Sequence, residues 1–282
     1  MSAQQDALSV LEATSRTFYI PIVRLPGELQ AAVASGYLCM RAIDEIEDSP
    51  QLPNAAKAEL LRGISTTLQA STERDAPGNF APVWGDRRAQ LAEVTCRIGE
   101  WAVLAPASIA PRVWDATAAM ADRMAYWAER NWAVRTEADL DRYTFGVAGA
   151  VGLLLSDLWA WYDATLTDRT QAIGFGRGLQ AVNILRNRSD DWARGVDFFP
   201  NGWTSSDMHA YAQRNLQLAR AYTAALPQGA AREFCQIPLA LAESTLAVLQ
   251  QGREKLTRAE VEAIVEGATE ATADPVAGSE RG

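Results

Sequence analysis

The chain is poor in the residues from which many enzymes build their active sites. With one histidine, His209, the chain is poorly supplied for catalytic triads and for histidine-rich metal sites. The three cysteines are scattered and odd in number, which argues against a disulfide framework and favours a reducing, cytoplasmic location. We therefore expect any metal chemistry to use carboxylate and other oxygen ligands.

Positive charge and long apolar runs are also scarce. The 282 residues include 35 acidic and 26 basic side chains, which gives little support to a surface that tracks nucleic-acid phosphates. No stretch approaches the about 20 uninterrupted apolar residues of a membrane helix, and the N-terminal residues lack the pattern of a secretory signal. We expect no nucleic-acid partner and no transmembrane segment, and an anionic substrate would have to be bound locally by arginines or metal.

Helical periodicity runs through nearly every long segment. Alanine and leucine dominate where β-branched residues would mark strands, so we expect an all-α fold. One helical domain is expected over residues 1–266. Residues 267–282 lose apolar periodicity and are expected to form a mobile tail.

Local signals predict where many of these helices begin. The pairs Thr136–Asp139 and Thr257–Glu260 resemble N-terminal capping boxes. Turn formers and the start of apolar periodicity predict the other starts. Helices are expected to begin after Pro26, near Asn54, before Asp86, around Arg112, at Thr136, near Asp168, at Ser205, near Gly229 and at Thr257.

A polar face runs along the otherwise apolar helix expected at YLCMRAIDEIEDS. Tyr37, Arg41, Asp44 and Asp48 are spaced by four, three and four residues, which places them on one side of the helix. Two carboxylates one turn apart repel each other unless a cation bridges them. Hard oxygen ligands suit Mg²⁺ completed by substrate phosphates. A solvated face with an internal Arg41–Asp44 pair explains the same pattern.

A second polar face lies in LQAVNILRNRSDDWARGVDFFP. Gln180, Asn183, Asn187 and Asp191 recur at three, four and four residues, with Asp190 alongside. Alone, this pattern also fits a polar helix end before a loop. Two such faces in one helical chain favour oxygen-ligand clusters that face each other across a cavity in a bundle.

A third segment, RYTFGVAGAVG, combines an aromatic residue with small ones. Tyr143 lies one turn before Val147 on a helix that contains Gly146, Gly149 and Gly152. The glycines leave room for a ligand or for a closely packed helix. Tyr143 is either a site residue or a core tyrosine with a satisfied hydroxyl.

Taken in order, these segments resemble the squalene and phytoene synthase family. SRTFYIPIVRLP, with Ser15, Arg16 and Phe18, is similar to the family's diphosphate-contacting entrance. YLCMRAIDEIED resembles its first aspartate-rich motif, RYTFGVAGAVG its tyrosine and VAG segment, and QAVNILRNRSDDWARG its second motif. The resemblance spans most of the chain and implies the single-domain helical bundle of the isoprenoid synthases.

The resemblance also implies magnesium-dependent prenyl transfer. Metal and guanidinium groups would neutralise a leaving diphosphate, so that the C–O bond ionises to an allylic cation stabilised by aromatic rings. The implied metal ligands are Asp44, Asp48, Asn183, Asn187, Asp190 and Asp191. The implied catalytic residues are Asp44, Asp48, Tyr143, Asp190 and Asp191. The implied substrate contacts are Ser15, Arg16, Phe18, Tyr37, Arg41, Phe145, Gln180, Asn183, Arg186, Asn187 and Arg194.

The chain departs from the family pattern at the second motif and in the VAG segment. Asn187 stands where an aspartate usually opens the motif, and Val196 stands where an arginine usually follows the glycine, although Arg194 is nearby. A negative ligand and a bidentate phosphate contact are thereby lost. Phe145 and Gly146 replace a usual polar and aromatic pair. These losses favour transfer of one prenyl group from its diphosphate to a small-molecule acceptor, such as an electron-rich aromatic compound.

Two other functions stay open. One is head-to-head joining of two prenyl diphosphates, as in squalene, hydroxysqualene or phytoene formation, and DWARG resembles bacterial members of the hydroxysqualene type. The other is an inactive relative that serves as a binding or scaffold subunit, against which the intact aspartates argue. No nicotinamide-binding fingerprint is visible, so we expect no reductive step.

Overall fold

The computed structural model describes residues 2–71 and 77–273, without the side chains of Arg16 and of residues 269–273. Within these ranges every regular element is helical, which confirms the expected all-α class. The first helices are α1 (Ala3–Thr14), α2 (Arg16–Val23), α3 (Gly27–Asp48), α4 (Asn54–Gln69), α5 (Ala81–Trp84), α6 (Glu93–Cys96), α7 (Ile98–Ala102) and α8 (Ala110–Glu129). The later helices are α9 (Glu137–Thr144), α10 (Ala150–Asp163), α11 (Arg169–Ala193), α12 (Ser205–Ala225), α13 (Ala230–Gln250) and α14 (Arg258–Ala273).

The long helices pack around one hydrophobic core. α3 lies against α7 and α8, α4 packs along α8, and α11 contacts α10, α12 and α13. Buried side chains form a continuous cluster from Ala7 in α1 to Leu246 in α13. A smaller cluster joins α13 to α14 through Ile237, Leu241 and Val265.

The two capping boxes expected from the sequence are present. The Thr136 hydroxyl accepts a hydrogen bond from the Asp139 amide (3.1 Å), and the Thr257 hydroxyl accepts one from the Glu260 amide (3.3 Å). Helix α14 continues to Ala273, beyond the expected domain boundary at residue 266. Residues 274–282 of the expected tail lie outside the described residues, so the mobile tail stays a prediction.

A π turn over Phe145–Gly149 joins α9 to α10 in one helical run. Turns of this kind are frequent at functional sites. By length and composition alone, the run Glu137–Asp163 could cross a membrane, because it has 27 residues and a mean hydropathy of 1.3 in its most apolar window. Half of that window is buried inside the fold, however, and the core helix of a soluble bundle passes the same test.

Glycines allow this run to approach α11 closely. A Cβ atom at Gly152 would lie 2.0 Å from the carbonyl oxygen of Ala172, and one at Gly176 would lie 2.0 Å from the carbonyl oxygen of Ala148. Backbone atoms cannot move aside as a side chain can. Of the two interpretations of the small residues, close helix packing therefore applies at Gly152.

We expect Gly176→Ala to lower the free energy of unfolding by at least about 2 kcal/mol, because the added methyl group meets backbone atoms of the π turn. Gly267→Ala is the matched control, since this helical glycine has no atom within 4 Å of the added position. The control should be neutral or stabilising by up to about 1 kcal/mol. Urea denaturation measures both, and equal effects of the two substitutions would contradict the close contact.

Candidate active site

One arginine joins the C-terminal ends of α3 and α11. Arg194 directly follows α11 and donates from Nη1 to Oδ1 of Asp48 (2.5 Å) and from Nη2 to Oδ1 of Asp191 (2.5 Å). The two carboxylates come from the two aspartate-rich segments. One guanidinium group contacts both, so the two segments meet at these side chains. The structure places the two expected clusters face to face.

The end of α3 carries unusually dense negative charge. Asp44, Glu45, Glu47 and Asp48 lie among its last five residues, where the helix dipole already disfavours anions, and its last turn has no basic residue. Burial raises the pKa of Asp44 to about 7, and the neighbouring carboxylates Asp48 and Glu45 add to the increase. Burial, followed by Asp48 and Asp44, raises the pKa of Glu47 well above its ordinary value.

Cations from other positions offset part of this charge. Arg41, one turn earlier in α3, forms its ion pair with Glu45 rather than with Asp44, and its charge still opposes the increase in the pKa of Asp44. Lys57 of α4 is 8% exposed and donates from Nζ to the backbone carbonyl oxygen of Glu47 (2.5 Å). Burial lowers the pKa of Lys57.

Sequence reasoning missed both Glu47 and Lys57. Glu47 follows Asp44 by three residues, so the spacing rule that selected its neighbours could have found it. Lys57 is on another helix, and no spacing rule connects it to the end of α3.

The N-terminal segment packs against the same side of α3. Tyr37 forms a side-chain hydrogen bond with Ser15, and its ring centroid lies 5.5 Å from that of Phe18. Burial raises the pKa of Tyr37, and Asp44 adds to the increase. The backbone of Arg16 begins α2, but its side chain lies outside the described part of the structure. Ser15, Phe18 and Tyr37 thus lie at one end of the polar face that contains Arg41 and Asp44.

Amide groups occupy the wall formed by α11. Asn183 Oδ1 accepts hydrogen bonds from Arg186 Nη2 (2.9 Å) and from Asn187 Nδ2 (3.1 Å). Arg186 Nε also donates to Asn187 Oδ1 (3.1 Å). Gln180, one turn before Asn183, is partly buried, and Asp190 is exposed beside the buried Asp191. The metal and substrate roles of these residues stay predictions.

Tyr143 has features both of a core tyrosine and of a site residue, the two interpretations that its motif allowed. Its ring is 2% exposed, stacks on Phe198 at 4.4 Å and meets the edge of Trp127 at 5.8 Å. Burial raises its pKa well above the ordinary value, and the charges of Glu47 and Asp191 add most to the increase after burial. The ring is therefore a core element, whereas the hydroxyl faces the acidic cluster.

Phe145, two residues later, has different neighbours. The centroid of its ring lies 5.0 Å from the guanidinium carbon of Arg123 and 5.9 Å from that of Arg177. The proposed contact of Phe145 with substrate stays a prediction.

The donor set fits magnesium held together with a diphosphate. Within residues 2–71 and 77–273, no three histidine, cysteine or acidic side chains converge as a ready-made metal centre. Mg²⁺ commonly takes one or two protein carboxylates and completes its coordination with substrate phosphates and water. Beside these carboxylates, Arg41 Nε is buried without a hydrogen-bond partner among the described residues. The site thus offers carboxylates to a metal and an unused donor to an anion.

Comparisons with known proteins relate this chain to squalene synthases. A family model described as squalene/phytoene synthase matches residues 11–210. Squalene synthase of Schizosaccharomyces pombe is 31% identical over 271 residues, which cover 85% of this chain and 58% of that protein. Squalene synthase of Eremothecium gossypii is 29% identical over 287 residues, which cover 89% of this chain and 63% of the relative. The chain therefore spans about three-fifths of the length of these curated relatives.

Solved structures show the same architecture. A structure of TcSQS in complex with the ligand BPH1237 superposes with a TM-score of 0.78 at 25% identity, covering 96% of this chain and 88% of the other. A dehydrosqualene synthase in complex with a ligand superposes with a TM-score of 0.69 at 18% identity, covering 96% of both chains, which supports the fold alone. The expected isoprenoid synthase fold is confirmed.

The preference for a non-prenyl, aromatic acceptor is wrong. The relatives that match most of this chain are squalene synthases, which favours the head-to-head alternative. The preference gave too much weight to Asn187 and Val196. Asn187 still presents a side-chain oxygen on the α11 wall. Arg194 supplies a guanidinium group to the same wall, where Val196 has none.

We expect magnesium binding to weaken as the pH falls through about 7. The pKa of Asp44 is raised from 3.8 to about 7, so its carboxyl group is ionised above that pH and protonated below it, and only the ionised form binds metal. The raised pKa values of Glu47 and Asp191 act in the same direction. Calorimetric titration should show that magnesium binds about tenfold more weakly one pH unit below this pKa than it does well above it. Asp44→Asn should bind less tightly with a flatter pH profile, and a flat wild-type profile would contradict the assignment.

We expect Arg41→Lys to weaken binding of magnesium diphosphate by about tenfold, because an ammonium group cannot reproduce the planar fork of donors. Arg62→Lys is the control, since Arg62 of α4 makes a forked contact with Glu129 of α8. Titration with inorganic diphosphate at fixed magnesium measures both variants. If Arg41 serves only its partner Glu45, the diphosphate affinity of Arg41→Lys will equal that of the wild type.

Proposed function

Because this chain belongs to the squalene/phytoene synthase family, we propose that it joins two prenyl diphosphates head to head in a magnesium-dependent reaction. The observation that carries the proposal is the convergence of Asp48 and Asp191, from separate helices, on a single guanidinium group. A site that bears carboxylates on two facing walls suits metal ions shared with diphosphate oxygens.

The acidic side chains divide between the two walls. Magnesium would be held from both walls. The ligands on α3 would be Asp44 and Asp48. The ligands on α11 would be Asp190, Asp191 and the amides of Asn183 and Asn187. Magnesium, when bound, would neutralise the charge that develops on a leaving diphosphate. The positions of the carboxylates determine where magnesium, and with it the leaving diphosphate, can bind.

Basic and hydroxyl groups would orient the diphosphate. Arg41 offers its buried Nε, Tyr37 lies one turn earlier on α3, and Ser15 forms a hydrogen bond with Tyr37. Removal of the diphosphate leaves the electron pair of the C–O bond on oxygen and an allylic cation on carbon. Arginines aimed at those oxygens therefore stabilise the leaving group more than the ground state.

The inner side of the site would exclude water from the cation. Tyr143, Phe198 and Trp127 form a packed aromatic group directly behind the carboxylates. The raised pKa of Tyr143 keeps its hydroxyl protonated at neutral pH, so it can donate a hydrogen bond but does not act as a phenolate base. Aromatic faces also stabilise positive charge on a prenyl chain.

Joining two prenyl diphosphates releases two diphosphates for each product. The allylic cation formed from the first substrate is attacked by a carbon–carbon double bond of the second, which accounts for one new C–C bond. The resulting cation loses a proton, so the intermediate is neutral before the second diphosphate leaves with the electron pair of its C–O bond. The final cation is then quenched by hydride from a reductant, by water or by loss of a proton. A cytoplasmic location is proposed with this function, supported by free Cys39, Cys96 and Cys235.

We expect one labelled prenyl diphosphate, incubated with magnesium, to give a product of twice its carbon number and two diphosphates for each product. Substrates of several chain lengths should be tested with and without a nicotinamide reductant and electron-rich aromatic acceptors. Asp48→Ala should lose nearly all activity with its helical circular dichroism intact, because this side chain is partly exposed and serves the metal. Asp115→Ala, on the exposed face of α8, should keep activity.

Two outcomes would contradict the proposed reaction. Prenylated aromatic products without a doubled product would restore the acceptor hypothesis. Binding of prenyl diphosphate without turnover under any of these conditions would favour an inactive binding subunit.

A further inference from the structure

Arg194 holds the carboxylates that a metal would need. Each terminal nitrogen of its guanidinium group contacts one Oδ1 atom, on Asp48 and on Asp191, at 2.5 Å. A guanidinium group and Mg²⁺ are both cations that bind carboxylate oxygens. They therefore compete for these two side chains.

The bridge neutralises charge that would otherwise stay buried. The Asp191 side chain is 10% exposed, compared with 46% for Asp48 and 37% for Arg194. A buried carboxylate without a cation is strongly unfavourable. Of the other nearby cations, Lys57 is bonded to the Glu47 carbonyl oxygen and Arg41 is paired with Glu45.

The backbone of Arg194 is fixed while its side chain is free to change partners. Its amide donates to the carbonyl oxygens of Asp190 (3.3 Å) and Asp191 (3.0 Å), which ends α11. Gly195 follows at φ +80°, a conformation that suits glycine and turns the chain away from the helix axis. Rotation about side-chain bonds can move the guanidinium group without disturbing this cap.

We propose that Arg194 is an exchangeable bridge. It pairs Asp48 with Asp191 in the free protein, releases both when magnesium arrives with a diphosphate, and then binds the diphosphate oxygens. The inference rests on the proposed function for the identity of its ligands. It assigns to Arg194 the phosphate contact that Val196 cannot make.

Exchange of this kind couples metal and diphosphate binding. Metal alone must displace the guanidinium group from both carboxylates and leave it without an anion. Diphosphate supplies that anion, so each ligand strengthens the binding of the other by the same factor. The site would thereby avoid holding magnesium in the absence of substrate.

The test compares metal binding by the wild type, Arg194→Gln and Arg169→Gln in the full chain. Mn²⁺ is titrated alone and with inorganic diphosphate, and bound metal is measured by water-proton relaxation. Arg169→Gln is the matched control, because Arg169 bridges α11 to Asp157 (2.7 Å) at the other end of the helix. Arg194→Gln should bind Mn²⁺ alone several-fold more tightly than the wild type, and the enhancement by diphosphate should fall by about tenfold. The control should match the wild type in both titrations.

Weaker or unchanged binding of Mn²⁺ alone by Arg194→Gln would overturn the exchange, as would an undiminished enhancement by diphosphate. If Arg194→Gln does not fold, Arg194→Lys keeps the charge but not the fork. It should show near-wild-type binding of Mn²⁺ alone with a reduced enhancement, and a full enhancement would overturn the proposal. Failure of the proposed function is separate, since it would leave this coupling intact while no doubled product forms.

Discussion

Carboxylates crowded at the C-terminal end of one helix are the constraint on which the site depends. Helix α3 ends with four acidic side chains at a place where its own dipole disfavours negative charge, and its last turn has no cation. The compensating groups come from outside that turn, in Arg41, Lys57 and Arg194. The bundle must bring α4 and the end of α11 to the end of α3. The packing of the helices therefore also supplies the cations that the site requires.

Close packing behind the carboxylates serves the same arrangement. The π turn packs on α11 at Gly176, and α10 packs on α11 at Gly152, in both places without intervening side chains. The Tyr143 ring is held by Phe198 and Trp127 while its hydroxyl faces the acidic cluster. A prenyl cation formed beside the carboxylates would therefore have a closely packed aromatic layer behind it that excludes water.

Local patterns predicted much of the fold and the two walls, because helix caps and one-turn spacings depend on neighbouring residues. The start at Thr136 and the polar stripe that ends at Asp48 are examples. Lys57 was not predictable in this way, since only the packing of α4 brings it to α3. The same limit explains the error about the acceptor: Val196 reads as a lost arginine until Arg194 is seen beside Asp48. Changes in a motif can be weighed only with their three-dimensional neighbours.

A crystal structure with magnesium and a prenyl diphosphate analogue that cannot ionise is the most direct test of two facing carboxylate walls that share metal and substrate. The account predicts magnesium between the diphosphate and carboxylates from both α3 and α11, with Asp48 and Asp191 among the ligands and the Arg194 guanidinium group on diphosphate oxygens. A structure in which Arg194 still bridges Asp48 and Asp191, with the diphosphate bound elsewhere, would contradict it.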